Sequence, residues 1–307
     1  MVLRYSLTSY VIHVSLSDMQ ITYENLRAQA GVAEPFSWID AAGTRLALSR
    51  RGAGAPVLCL HAIGHGGRDF EAFWKRMHDK GFEIVCLDWP GQGRNPDDAT
   101  GAEASASRYA EILAGVIAAA FVLGDPPIVI GNSIGGAAAM IVAAKQPALI
   151  RALVLCNPGG LVAVDGFART FCAAMSGFFR AGARGAIWFS PAFAIFYKTV
   201  LPGRPAREQR QRIIAAGRET AGVLAQAWAS FGRAEADIRE LLWRIDRPML
   251  FAWAKGDRIV SWARNRPAVS RSSAKVQMFR GGHSAFMEDP DAFTAAFEAF
   301  ARQLPER

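Results

Sequence analysis

The stretch Ile128-Val129-Ile130-Gly131-Asn132-Ser133-Ile134-Gly135-Gly136, continued by Ala137-Ala138-Ala139-Met140-Ile141-Val142-Ala143-Ala144, decides how the chain is read. An apolar, β-branched run that stops at a glycine and then turns alanine-rich reads as a buried parallel strand feeding a helix through a tight turn. Ser133 sits at the apex of that turn. Glycines two residues before and two after it are what such an elbow needs, because side chains there collide with the neighbouring strand and helix while the serine is held in a strained conformation. The turn pushes Oγ out of the sheet and toward the positive N-terminus of the following helix. Gly-x-Ser-x-Gly is a weak pattern by itself, and an ordinary glycine-rich turn would also carry it, so its surroundings must decide.

Upstream, residues 36–40 and 44–48 alternate polar and apolar around a turn at 41–43, the pattern of an antiparallel hairpin at a sheet edge. Pro56-Val57-Leu58-Cys59-Leu60 is a buried strand ending in the glycine-rich loop His61-Ala62-Ile63-Gly64-His65-Gly66-Gly67. A helix over 70–79, a strand over 82–87, the loop Asp88-Trp89-Pro90-Gly91-Gln92-Gly93-Arg94 and a long helix over 105–123 lead into the elbow strand. A strand over 152–156 follows the elbow helix. Strands alternating with helices at this spacing predict an α/β fold with a mostly parallel, doubly wound sheet.

From 158 to 246 the rhythm breaks into a segment rich in Phe, Trp, Ala and Arg with no convincing strand. Placed between two strands, it is expected to be a helical cap, or lid, over the carboxyl ends of the sheet, where ligands bind in such folds. The rhythm resumes with strands at 248–254 and 274–279 and a closing helix at 290–303. The expected organisation is an N-terminal extension over 1–35, a core over 36–157 and 247–307, and the cap over 158–246. Met19 is a candidate natural start.

A serine is a poor nucleophile at neutral pH, so the elbow demands a histidine base and an acid to orient it. The strand ending at Ala254 is followed by Lys255-Gly256-Asp257-Arg258, and the next strand by Gly281-Gly282-His283-Ser284. Asp257 and His283 are therefore expected on neighbouring loops at the edge that holds Ser133, in the order Ser, Asp, His that this topology requires. Acyl transfer also needs donors for the developing oxyanion; the backbone N–H groups of Ile134 and Ile63 are the expected pair. Asn132, His65, Trp188 and Phe189 are candidates for substrate contact. The aromatic residues Phe171, Phe178, Phe179, Phe193, Phe196 and Trp228 are divided between pocket lining and core packing.

These motifs resemble the α/β-hydrolase fold family, in the subgroup with serine nucleophiles and a helical cap. The resemblance rests on Leu60-His61-Ala62-Ile63-Gly64, the loop 88–94, Gly131-Asn132-Ser133-Ile134-Gly135-Gly136, Gly256-Asp257-Arg258-Ile259-Val260 and Gly282-His283, and covers the chain from Phe36 onward. Ala62 stands where the family usually has glycine after the histidine. The resemblance implies a hydrolase; Ser133 argues against the members that use an aspartate nucleophile. A carboxylic ester hydrolase is the favoured reading. C–C bond hydrolases of ring-fission products share the Gly-Asn-Ser-x-Gly-Gly elbow, but their tryptophan after the histidine is Ser284 here, and they need a cap arginine, for which Arg169, Arg180 and Arg184 are candidates. A third alternative is a ligand receptor on the same fold.

The 307 residues are half hydrophobic, enough for one large domain, and the formal net charge is +8. The arginines are dispersed among acids, which argues against a nucleic-acid partner. Cys59, Cys86, Cys156 and Cys172 lack metal-ligand spacing and read as reduced thiols. No phosphate-binding fingerprint or ligand cluster calls for a metal, nucleotide or flavin, so no cofactor is expected. No uninterrupted apolar twenty-mer occurs, so membrane insertion is not expected, and the chain reads as soluble and cytoplasmic with a small to medium hydrophobic substrate. A homo-oligomer is compatible with the sequence.

Overall fold

The computed structural model describes residues 36–121 and 125–305. The expected N-terminal extension and the alternative start at Met19 lie outside the described residues. The elements follow in the order β1 (Phe36–Ala41), β2 (Thr44–Gly52), β3 (Ala55–Leu60), α1 (Glu71–Met77), β4 (Phe82–Leu87), α2 (Ala106–Ala120), β5 (Ile128–Asn132), α3 (Ile134–Lys145), β6 (Ala152–Cys156), α4 (Gly166–Ala183), α5 (Phe189–Val200), α6 (Arg207–Ala215), α7 (Ala221–Phe231), β7 (Met249–Ala254), α8 (Trp262–Val269), β8 (Lys275–Phe279) and α9 (Pro290–Ala301). The eight strands form one sheet in the order β1-β2-β4-β3-β5-β6-β7-β8. β1 and β2 pair antiparallel, as does β2 with β4, and every other neighbour is parallel. This is the mostly parallel, doubly wound α/β sheet that the strand–helix alternation predicts.

The central strands β3, β5, β6 and β7 are buried almost end to end, as strands covered by helices on both faces must be. Their parallel course places the residues that follow them at a single edge. Ala62 and Ile63 come after β3, Ser133 after β5, Asn157 after β6, Asp257 after β7 and His283 after β8. Between β6 and β7 the chain passes through α4, α5, α6 and α7 with no strand. α4 and α7 pack against each other, and Phe179, Phe189 and Phe193 are buried among the helices with ring centroids 5.2 to 6.2 Å apart. Ser105 and Asp165 cap α2 and α4, each accepting from the backbone N–H three residues on. No helix among the described residues is long and apolar enough to cross a membrane.

Candidate active site

Ser133 links β5 to α3 with φ 55° and ψ −116°, a conformation that costs a non-glycine residue energy and persists only where its surroundings impose it. The two flanking glycines impose it. A Cβ on Gly131 would lie 2.6 Å from the Gly136 Cα, and one on Gly135 would lie 2.8 Å from the Leu60 carbonyl oxygen, so strand and helix close on each other only because both positions are bare. The Ser133 N–H donates to the Cys156 carbonyl at 3.1 Å, and its own carbonyl accepts from Gly159 and Ala137.

His283 Nδ1–H donates to Asp257 Oδ2 at 2.7 Å, with both side chains almost fully buried. Because the carboxylate only accepts, this bond assigns the proton to Nδ1 and leaves Nε2 with its lone pair when the ring is neutral. Asp257 accepts three further hydrogen bonds: Oδ1 from the backbone N–H of Ile259 at 2.7 Å and of Val260 at 2.9 Å, and Oδ2 from Asn157 Nδ2 at 2.7 Å. The His283 backbone is tethered as well. Its N–H donates to the carbonyl of Val200, the last residue of α5, at 2.8 Å, and its carbonyl accepts from Asn132 Nδ2 at 3.0 Å. Ser284 Oγ donates to Asn132 Oδ1 at 2.8 Å. Glu288 completes the loop, accepting from Gly282 and Gly203 at 2.6 Å each; burial pushes its carboxyl above the usual range, against these donors and the nearby His283, which pull it down.

The loop 61–67 is held by the loop 88–94. His61 Nε2 accepts from the Trp89 N–H at 3.0 Å while its Nδ1–H donates to the Ala62 carbonyl at 2.7 Å, and Trp89 Nε1 donates to the His61 carbonyl. Burial lowers the His61 pKa and favours the neutral ring that this pattern requires. Gln92 Oε1 accepts from the Gly64 N–H at 2.6 Å, and Asp88 Oδ1 from Gly67 at 2.5 Å. The result presents Ala62 and Ile63 toward Ser133 across a cavity of about 310 Å³. Ile134 is the first residue of α3, where a backbone N–H has no partner inside the helix.

The cavity wall brings together Ser133, His283, Ile63 and His65 from the expected set. Asp257 stands behind His283. Ser133 Oγ makes no hydrogen bond among the described residues. Three of the expected substrate contacts lie elsewhere. Asn132 is fully buried with its amide spent on Cys156, His283 and Ser284. Phe189 packs against Phe178, Phe179 and Phe193, and Trp188 is half exposed on the outer side of α5. Phe171, Phe196 and Trp228 do line the cavity, whereas Phe178, Phe179 and Phe193 pack within the helices. Arg169, Arg180 and Arg184 are exposed and none lines the cavity.

Sequence reasoning missed Asn157, Glu288 and the partners of His65. The His65 ring touches the cavity, and its Nδ1–H donates to Asp69 Oδ2 at 2.5 Å in a pair that excludes solvent. Asp69 Oδ1 accepts from Gln209 of α6 at 2.5 Å. Tyr197 lies beside His65 at 5.6 Å between rings, and burial followed by the Asp69 charge holds its phenol protonated. The four-residue spacing of His65 and Asp69 was a visible signal; Gln209 had none. No cluster of three or more His, Cys, Asp or Glu among the described residues could hold a metal ion.

The model of the alpha/beta hydrolase family matches residues 57–296. An uncharacterized protein of Mycobacterium tuberculosis is 29% identical over 141 residues, 45% of this chain and 39% of that protein, so the chain spans about two fifths of the length of the first curated relatives it matches. A Shigella flexneri protein with the provisional name carbamate hydrolase RutD is 26% identical over 249 residues, 79% of this chain and 90% of the relative. Among solved structures, a thermophilic esterase from Thermogutta terrifontis superposes with a TM-score of 0.70 at 21% identity, covering 88% of this chain and 99% of the esterase, a likeness of fold. With its sheet, its serine elbow and a family match over most of its length, the chain belongs to the alpha/beta hydrolase family.

Proposed function

We propose that the protein is a serine hydrolase of small to medium hydrophobic carboxylic esters, with Ser133 as nucleophile, His283 as general base and Asp257 as its orienting acid. The observation that carries this reading is the pairing at 2.7 Å of Asp257 with His283, which shares a cavity wall with the strained Ser133. His283 Nε2 takes the Ser133 hydroxyl proton as Oγ bonds to the ester carbonyl carbon. The oxyanion that develops is received by the N–H groups of Ile63 and Ile134. Collapse of the tetrahedral intermediate breaks the bond to the alkoxy group, which leaves as the alcohol with the proton from His283. Water then attacks the acyl-enzyme, gives its proton to Nε2, and the acid departs as Ser133 regains a proton.

The helices over 158–246 act in this reading as the cap, and Phe171, Phe196, Leu224, Trp228 and Phe231 supply an apolar wall for the acyl or aromatic part of the substrate. His65 offers Nε2 as one polar contact in the cavity, which Arg258, Ser261, Arg264 and Asn265 also line. Arg169, Arg180 and Arg184 do not line the cavity, whereas Arg258 and Arg264 do; the choice of ester over C–C bond cleavage rests on Ser284, which stands where the C–C bond hydrolases carry tryptophan. Fluorophosphonate labelling of the full chain, with turnover of p-nitrophenyl esters of increasing acyl length, tests the proposal. Labelling is expected for the wild type and absent in Ser133→Ala, with turnover peaking at one chain length and falling at least ~10³-fold in Ser133→Ala and His283→Ala. A wild type that neither labels nor turns over any ester overturns it.

A further inference from the structure

The helical segment carries a second feature, on the side away from the cavity. In α5, Phe189, Phe193, Tyr197 and Val200 are buried, at spacings of four, four and three. On the opposite face Trp188, Pro191, Ile195 and Lys198 are exposed at spacings of three, four and three, and so lie along one line of the helix surface. Ile187, in the turn before it, is 89% exposed, Ile195 65% and Trp188 51%. Large aliphatic side chains standing this far into water next to a tryptophan form a contiguous apolar patch, which a protein that stays free in solution rarely displays.

The charges in the run of sequence that carries this patch have a single sign. From Gly166 to Arg207 the chain contains Arg169, Arg180, Arg184, Lys198, Arg204 and Arg207 and no Asp or Glu. Arg180, Arg184 and Lys198 are exposed and none is paired with an acid among the described residues. Arg218 joins them from the turn after α6, donating to Ser190 Oγ at 3.0 Å and to the Ala186 carbonyl at 3.1 Å. The nearest acids in sequence, Asp165, Glu208 and Glu219, lie outside this run; Asp165 is paired with Arg264 and Glu208 with Arg212. An exposed stripe of Ile, Trp and Ile carried by a run of sequence whose only charges are cations has the chemistry of a helix that lies in the surface of an anionic bilayer, its apolar side chains among the acyl chains and its arginines and lysine at the headgroups.

We infer that the outer face of α5, with the turn that precedes it, docks the protein reversibly on anionic phospholipid surfaces. The contact is interfacial and crosses nothing. The same helix supplies Phe196 and Tyr197 to the cavity, so a docked protein holds the roof of its cavity against the lipid. Supply of lipophilic substrate by that route rests on the proposed function; the docking does not.

The test is co-sedimentation of the full chain with sucrose-loaded vesicles of phosphatidylcholine alone and of phosphatidylcholine with 30% phosphatidylglycerol, a composition chosen at roughly the surface charge of an anionic leaflet. Binding is expected to the mixed vesicles only, to weaken at high salt, and to fall about tenfold or more in Ile187→Asp with Ile195→Asp and in Arg184→Glu with Lys198→Glu. Circular dichroism and hydrolysis of a short, water-soluble ester, where the wild type shows it, should be unchanged in both double variants. Binding of both variants equal to wild type overturns the inference, since the overall positive charge then suffices. Absence of binding overturns it, as does equal binding to neutral vesicles. Sedimentation velocity that finds a wild-type dimer and monomeric Ile187→Asp, Ile195→Asp also overturns it, since a second copy then covers the face.

Discussion

His65 and Asp69 form the second buried histidine–carboxylate pair around the cavity, and their hydrogen bonds define a role for each atom. Asp69 accepts twice, from His65 Nδ1–H and from Gln209 Nε2, which leaves His65 Nε2 as an acceptor when the ring is neutral. Asp69→Asn keeps the shape but has one acceptor oxygen and a donor amide. The ring then moves its proton to Nε2, or the Gln209 amide turns to accept through Oε1, or one of the two bonds is lost. The expected outcome is a KM raised roughly tenfold for esters with a polar group on the acyl side, the worth of about one hydrogen bond, with fluorophosphonate labelling of Ser133 retained. Steady-state kinetics on matched polar and apolar acyl chains checks this. An equal loss of kcat on both would place the pair among the reacting groups instead.

The helices between β6 and β7 share a buried aromatic cluster around Phe179. Phe179 is fully buried, with ring centroids 5.0 to 6.2 Å from Phe178, Phe189, Phe193 and Phe196. Phe179→Ala is expected to cost about 3–5 kcal/mol of stability by lost burial and the cavity left behind. Since the sheet has its own core in β3, β5, β6 and β7, the loss should fall first on these helices. Hydrogen exchange is the measurement: amides in 166–231 should exchange faster in Phe179→Ala, while those of β5 and β6 keep their protection. Uniform loss across the sheet would show that the helices and the sheet unfold as one unit.

Two buried groups make the stability of the whole molecule depend on pH with opposite signs. Burial lowers the folded-state pKa of His61, so below about pH 6.5 the unfolded chain takes up a proton that the native state refuses, and stability falls as pH drops from there through the folded value. Burial raises the folded-state pKa of Glu288, so its contribution is fully present below about pH 4.5 and is lost as pH rises through its folded value. Protonated His61 also loses the acceptor for the Trp89 N–H, which holds the loop of Ile63. Urea unfolding from pH 5 to 8 should show stability decreasing on the acid side of 6.5. Proton NMR should find the His61 imidazole titrating below the usual range. An ordinary His61 titration would contradict this linkage.

The elements and their order were legible in the sequence, because each depends on neighbours a few residues away. The run 128–136 displays its own strand, turn and helix, and Gly131 and Gly135 are required by contacts inside that same unit, apart from the approach of Leu60. The convergence of Ser133, Asp257 and His283 on one edge followed from parallel strands, which place every strand end on the same side. What only the tertiary structure decided is where side chains beyond the strand ends point and what they meet. Asn157 reaches Asp257 across 100 residues and Gln209 reaches Asp69 across 140, separations over which a sequence carries no visible period. Asn132 stands beside Ser133 yet spends its amide on the loops of β6 and β8, and Trp188 and Phe189, adjacent in the chain, go to opposite sides of one helix. Helical periodicity separates the two faces of α5; only the packing of α5 on its neighbours decides which face meets the core and which is left to face outward.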